Sequence, residues 1–154
     1  MNIPSAQEAK VSIGETVGFN KQNTIRLADV YTHIQKPIGD WKQVFAELRD
    51  LVDNGDLDEY NRKKKNLRVF TWSGTFDNRS NDGLIQHTGR LQIDIDWKGK
   101  PRAASKELRN QLGKDPHIES ACLSPSARGV KCGMLIPICA NDAEYKKAFA
   151  AAEN

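Results

Sequence analysis

With 154 residues, 38% of them hydrophobic and 28% charged, the chain is long enough for one domain with a buried core. No apolar run approaches a membrane span and Met1 to Lys10 lacks the apolar stretch of a signal peptide, so a soluble cytoplasmic protein without a membrane partner is expected. A net charge of +3 permits nucleic-acid binding without requiring it, and Cys122, Cys132 and Cys139, odd in number and without CxxC spacing, read as buried reduced thiols rather than a disulfide framework or zinc knuckle.

In chain order, residues 1–23 are polar, contain Pro4, Gly14 and Gly18, and predict an irregular arm with a short strand around Lys10 to Ile13. Thr24 suits the N-cap of a helix running through Gln35, before Pro37 ends it. Asp40 caps a second helix in which Trp41, Val44, Phe45, Leu48, Leu51 and Val52 follow the i, i+3, i+4, i+7 rhythm, and Asn54-Gly55 stops it. That aromatic stripe reads as core rather than a base-stacking platform. A short helix, Leu57 to Lys64, leads into the basic run Arg62-Lys63-Lys64-Lys65, which reads as a solvated helix end or linker rather than a binding patch.

From Asn66 the character changes. Leu67 to Trp72 is rich in β-branched and aromatic residues, Ser73-Gly74 breaks it, and Thr75 to Arg79 continues as strand or loop. Ser80 to Gly83 is a turn signal, Leu84 to Gln86 a short strand, and Leu91 to Trp97 a longer alternating one. A helix from Ala103 to Leu112 is closed by Gly113, and Ile118 to Leu123 is extended. A Ser124 to Gly129 turn joins it to Val130 to Ile138, and Asp142 caps a last helix from Ala143.

The predicted organisation is therefore an N-terminal arm and helical prefix over residues 1–65, and a core over 66–154. The class is α+β, and the order strand, helix, strand, strand, helix from Leu91 is five-sixths of a ferredoxin-like (RRM-like) βαββαβ unit with an antiparallel sheet. In that topology the first strand lies between the third and fourth, and the first and second run parallel.

The chemistry-bearing feature is the strand Leu91-Gln92-Ile93-Asp94-Ile95-Asp96. Side chains alternate along a strand, so Leu91, Ile93 and Ile95 point one way, and Gln92, Asp94 and Asp96 the other. Two carboxylates roughly 7 Å apart on one face can jointly grip Mg2+ or Mn2+, as in phosphoryl transfer. The plainer reading is a half-exposed antiparallel strand with a solvated face. Weight comes from Ser124-Pro125-Ser126-Ala127-Arg128-Gly129-Val130-Lys131, whose hydroxyls, arginine and glycine-freed amides suit a phosphate. The topology puts this turn beside the aspartates and leaves Lys131 on their open face. His87 reads as an exposed turn histidine, and no Ser/His/Asp or Cys/His nucleophile can be assembled.

The hDhD strand paired with a Ser-x-x-Gly-x-basic turn resembles the archaeo-eukaryotic primase superfamily. More closely, Gly74-Thr75-Phe76 with Arg79, Leu84, Gly89, Asp94-Ile95-Asp96, Asp115-Pro116 and Ser124 to Lys131 resemble the N-terminal domain of virulence-associated protein E (VirE). The likeness covers roughly Thr24 to Phe149, its second half being the specific part.

The resemblance implies a primase-like domain of a phage- or plasmid-type replication protein, acting on a nucleoside triphosphate and a single-stranded DNA template beside a helicase-like domain of the same or a partner chain. It implies Asp94 and Asp96 as metal-binding catalytic acids and Ser124, Ser126, Arg128 and Gly129 as the nucleotide-phosphate turn, with Arg79 either reaching a phosphate or hydrogen-bonding the preceding turn. Lys131 stands where catalytic primases carry a histidine, Ala127 replaces a glycine, and the third motif, an acid on the last strand, has no counterpart. Two readings remain open: a nucleotidyltransferase, or a catalytically inactive DNA-binding or helicase-docking module. Either the chain is part of a longer protein, or its sheet borrows Leu67 to Trp72 as the missing edge strand.

Overall fold

A computed structural model describes residues 3–17, 23–78, 80–96 and 99–152. Its elements in chain order are β1 (Lys10–Gly14), β2 (Asn23–Arg26), α1 (Leu27–Gln35), α2 (Trp41–Asp53), α3 (Leu57–Lys64), β3 (Val69–Phe70), β4 (Gly74–Phe76), β5 (Leu84–His87), β6 (Arg90–Asp96), α4 (Arg102–Leu112), β7 (Ile118–Leu123), β8 (Gly129–Leu135) and α5 (Asp142–Ala152). A single 3-10 turn, Asn81–Gly83, stands where the Ser80 to Gly83 turn was expected. The class is α+β, with antiparallel sheets and a helical prefix, as the sequence pattern predicts.

The sheet that carries the acidic strand has the order β6-β8-β7, with both neighbouring pairs antiparallel. The first and second strands of the βαββα unit therefore run parallel with the third between them, the ferredoxin-like order. Helix α5 covers the apolar face of this sheet: Tyr145, Ala148 and Ala152 pack with Leu91, Ile93, Met134, Ile136 and Cys139. Helix α4 packs against β7 and β8.

The prefix departs from expectation at its start. Thr24 is not a helix cap: Asn23–Arg26 is extended and pairs with β1, Thr24 opposite Ser12 and Ile25 opposite Val11, and the helix begins only at Leu27. Two β-branched residues beside a ready strand edge are better satisfied by a ladder than by a first helical turn. Strand β3 shrinks to Val69–Phe70 and also joins β1, Ile13 opposite Phe70. Leu67 to Trp72 is thus not the missing neighbour of β6, and among the described residues no strand pairs with β6's other edge.

Ala9, Val11, Leu27, Val30 and Trp72 form one core cluster, with Tyr31, Phe70 and Cys122 packed against it. The apolar stripe of α2 is core as expected, Leu48 and Val52 closing on Tyr60 and Leu67. Burying each large aliphatic side chain stabilises the fold by about 1.5–3 kcal/mol. Both clusters draw residues from either side of the 65/66 boundary, so the prefix and the core share their interior.

Candidate functional site

The polar face of the β6-β8-β7 sheet is built by alternation: Arg90, Gln92, Asp94 and Asp96 on β6 stand opposite Leu135, Gly133, Lys131 and Gly129 on β8. Its two ends are different environments. At one end α1 lies over the sheet, the Tyr31 hydroxyl coming within ordinary contact, 3.9 Å, of where a β-carbon on Gly133 would stand, while Ser120 Oγ crowds the same point at 3.0 Å. Arg90 is 1% exposed, its Nε donating to Glu119 Oε2 at 2.8 Å and its Nη1 to the Thr88 carbonyl at 2.6 Å. Tyr31 donates to the same Glu119 oxygen. Burial alone would raise the Glu119 pKa, but the guanidinium and the phenol overcome it and hold the carboxyl below its ordinary value. Burial, and then the bond to Glu119, push the Tyr31 hydroxyl up.

The other end is open. Asp94 lies directly opposite Lys131, and the two form an ion pair, the lysine 28% and the carboxylate 45% exposed. Asp96 is opposite Gly129, where the strands approach so closely that a β-carbon would sit 2.7 Å from the Ile95 carbonyl. The same point is 3.3 Å from Asp96 Oδ1 and 3.4 Å from Ser124 Oγ, so the carboxylate and the hydroxyl flank the space above Gly129. Cys122, on β7 opposite Lys131, has its thiol pushed up by burial to about 11. Cys122, Cys132 and Cys139 are all free; Cys132 and Cys139 are buried as expected, while Cys122 is only half-buried.

The Ser124 to Gly129 turn closes the open end. Ser124 N–H donates to the Gly129 carbonyl at 2.9 Å, and Ala127 N–H to the Ser124 carbonyl at 2.8 Å. Arg128 N–H donates to Ser126 Oγ, which lies 3.0 Å from Ser124 Oγ. The expectation of glycine-freed amides therefore needs correction at Ala127 and Arg128, whose amides are used inside the turn, and Ser124 is buried with its hydroxyl against that of Ser126. Ala127, where the resemblance expects glycine, takes a left-handed φ of 57°, a conformation that costs an alanine about 1–2 kcal/mol.

Arg128 turns away from the aspartates. Its Nη2 meets Asp53 Oδ1 at 3.2 Å, and Arg102 Nη1 meets Asp53 Oδ2 at 2.7 Å. Pattern reading missed both Arg102 and Asp53, though a signal existed. Arg102 opens α4 and Asp53 ends α2, each at the helix end whose dipole disfavours its charge. Two such misplacements point to a partner. Arg90 and Glu119 were also missed, although Arg90 continues the Gln92, Asp94, Asp96 series by two residues.

Six expected residues, Asp94, Asp96, Lys131, Gly129, Ser124 and Ser126, thus gather at one end of the sheet, with Arg128 at its margin. Arg79 lies outside the described residues. His87, expected in an exposed turn, is instead buried: its Nδ1 accepts from the N–H groups of Gly89 and Cys139, its ring stacks edge-on with Tyr145, and its Nε2 finds no partner. Desolvation lowers its pKa. Among the described residues no three His, Cys, Asp or Glu side chains converge as metal ligands, so any ion at Asp94 and Asp96 takes its remaining ligands from water or substrate. That donor set fits Mg2+ or Mn2+, which keep waters and share substrate phosphates. No described helix is long and apolar enough to cross a membrane.

A family model described as BT4734-like, N-terminal domain, matches residues 62–154. Among curated proteins and among solved structures, none matches the chain.

Proposed function

We propose, from the premise that the chain belongs to the family of BT4734-like N-terminal domains, that it is a primase-like nucleotide- and DNA-binding domain of a mobile-element replication protein. The reading keeps the resemblance to VirE and the primase superfamily as its guide, and one observation carries it. Two acids, a lysine and a serine-rich turn meet at the open end of a sheet in the ferredoxin-like order.

In this reading Asp94 and Asp96 hold Mg2+ or Mn2+, which would neutralise phosphate charge and align a triphosphate. Lys131 meets a phosphoryl oxygen as a point charge, for which an ammonium serves as well as a protonated imidazole. Ser126 offers its hydroxyl beside it, with the buried Ser124 hydroxyl bonded to that of Ser126. A single-stranded template and a helicase-like domain of the same or a partner chain are the proposed macromolecular partners, and the cytoplasm the proposed compartment.

The ion pair between Lys131 and Asp94 favours binding over chemistry. A lysine that neutralises one of two metal acids competes with the metal, and a two-metal reaction needs acids for both ions. Thermal unfolding with manganese and a nucleoside triphosphate tests the site. At about a hundredfold saturation a single site adds about 2.7 kcal/mol, a rise in melting temperature of about 5 °C or more. Asp94→Asn abolishes that rise if the reading holds, and an unchanged wild-type melting temperature defeats it. Template-dependent extension by the wild type would show an enzyme; binding without extension is the expected result.

A further inference from the structure

Two arginines share one carboxylate at the margin of the site. Asp53 bridges Arg102 and Arg128, while Arg49, four residues earlier on α2 and so its natural helical partner, makes no ion pair with it. Arg49 Nε is buried without a partner. Arg102 is held in place by its own bonds, Nη2 donating to the Arg49 carbonyl at 2.7 Å and Nε to the Ser126 carbonyl at 3.3 Å. Its guanidinium is thus tied to the turn and to α2 by bonds that do not involve the Asp53 side chain.

The N-terminus of α4, with no side-chain cap and no acid in its first turn, adds its dipole to the same spot. Asp53 sits at the C-terminal end of α2, where the dipole repels it. A fixed, half-exposed, over-positive fork holding a carboxylate that its own helix disfavours is a site built for an anion stronger than the one it holds. A phosphate, with more charge and more acceptor oxygens, out-competes a carboxylate for a guanidinium fork.

We propose that Arg102 and Arg128 form a phosphoryl-binding site in which Asp53 is the resident anion, displaced when a phosphate arrives. This deepens the nucleotide and DNA reading above and rests on it. The phosphate belongs either to a nucleoside triphosphate or to a nucleic-acid backbone, and both present the same oxygens to the fork.

Binding of tripolyphosphate, a nucleoside triphosphate and a short single-stranded oligonucleotide, measured at low salt, separates the sources. Asp53→Asn removes the competitor and tightens binding about tenfold, and Arg102→Gln weakens it about tenfold. Arg102→Lys, which keeps the charge, retains part of the affinity and guards against a Gln variant that folds poorly. A response confined to the two polyphosphates assigns the site to the nucleotide, and one confined to the oligonucleotide assigns it to the backbone.

If Asp53→Asn lowers the melting temperature and leaves all three affinities unchanged, Asp53 only ties α2 to the turn and the proposal falls. The nucleotide-site reading fails separately, when Asp94→Asn and Lys131→Met leave triphosphate binding unchanged. Wild-type protein that binds none of the three probes overturns both.

Discussion

Two ion pairs stand on one face of one sheet, four residues apart along β6, and they do opposite things. Arg90 with Glu119 is 1% and 22% exposed, Lys131 with Asp94 28% and 45%. Every acceptor around Arg90 is committed: both Glu119 oxygens and the Thr88 carbonyl. Asp94 has one partner and solvent. The first pair welds α1, β6 and β7 together through Tyr31; the second is free to exchange its partner. What separates them is cover. The prefix lies over one end of the face and leaves the other open, so the same alternation of side chains yields a lock and a site.

The sharpest way to break the comparison is Glu119→Ala. It strands the Arg90 guanidinium in the interior and also deprives the Tyr31 hydroxyl of its acceptor. Removing one member of a buried pair costs about 3–5 kcal/mol, which urea denaturation would read as a lowered midpoint. A loss under about 1 kcal/mol would place this pair with the exposed ones and erase the distinction between the two ends.

Acidification tests the locked end more gently. His87 lies three residues before Arg90, and its Nδ1 accepts two backbone N–H bonds that protonation would destroy. Desolvation, against an opposing backbone hydrogen bond at Arg90 and with the Arg90 charge adding to it, sets its folded pKa below the ordinary 6.5. The unfolded chain then binds the proton more readily, so the histidine's contribution is fully present above about pH 6.5 and is lost as the pH falls below it. Stability measured between pH 7.5 and 5 should decline, and His87→Gln should flatten the decline. An equal slope in the variant would take the histidine out of the account.

How far the sequence exposed this arrangement depends on the range of the interaction. The bounds of α3 at Leu57–Lys64 and β7 at Ile118–Leu123 follow from local patterns, because caps, turns and periodicity lie within a few residues. The shared face of Asp94, Asp96 and Lys131 was legible for the same reason: alternation needs only a strand and a register. Asn23–Arg26 was misjudged because its conformation is set by partners on β1 ten to sixteen residues earlier, and not by Thr24 itself. Partners 29 residues apart, as Arg90 and Glu119 are, or 75, as Asp53 and Arg128 are, leave no periodic trace. Only charge at the wrong helix end hinted at the latter. His87 looked like a turn residue because nothing local shows that Tyr145 will cover it.

The smallest expected effect sharpens the comparison most. Lys131→Met and Asp94→Asn each remove half of an exposed pair, and such pairs contribute at most about 1 kcal/mol after solvent screening. Neither variant should shift the urea midpoint appreciably. Their consequences should diverge in binding instead. Asp94→Asn deletes an acid that the proposed cation needs, while Lys131→Met frees Asp94 from its competitor and removes a phosphate contact. Manganese alone, titrated without nucleotide and followed by calorimetry, should therefore bind Lys131→Met more tightly than wild type, and Asp94→Asn more weakly. A lysine that served only to staple β6 to β8 would give the reverse pattern: a measurable loss of stability in both variants and the same weak response to the metal. Affinity that moves in opposite directions while stability stays level is the signature of an ion pair whose lysine stands in for a ligand.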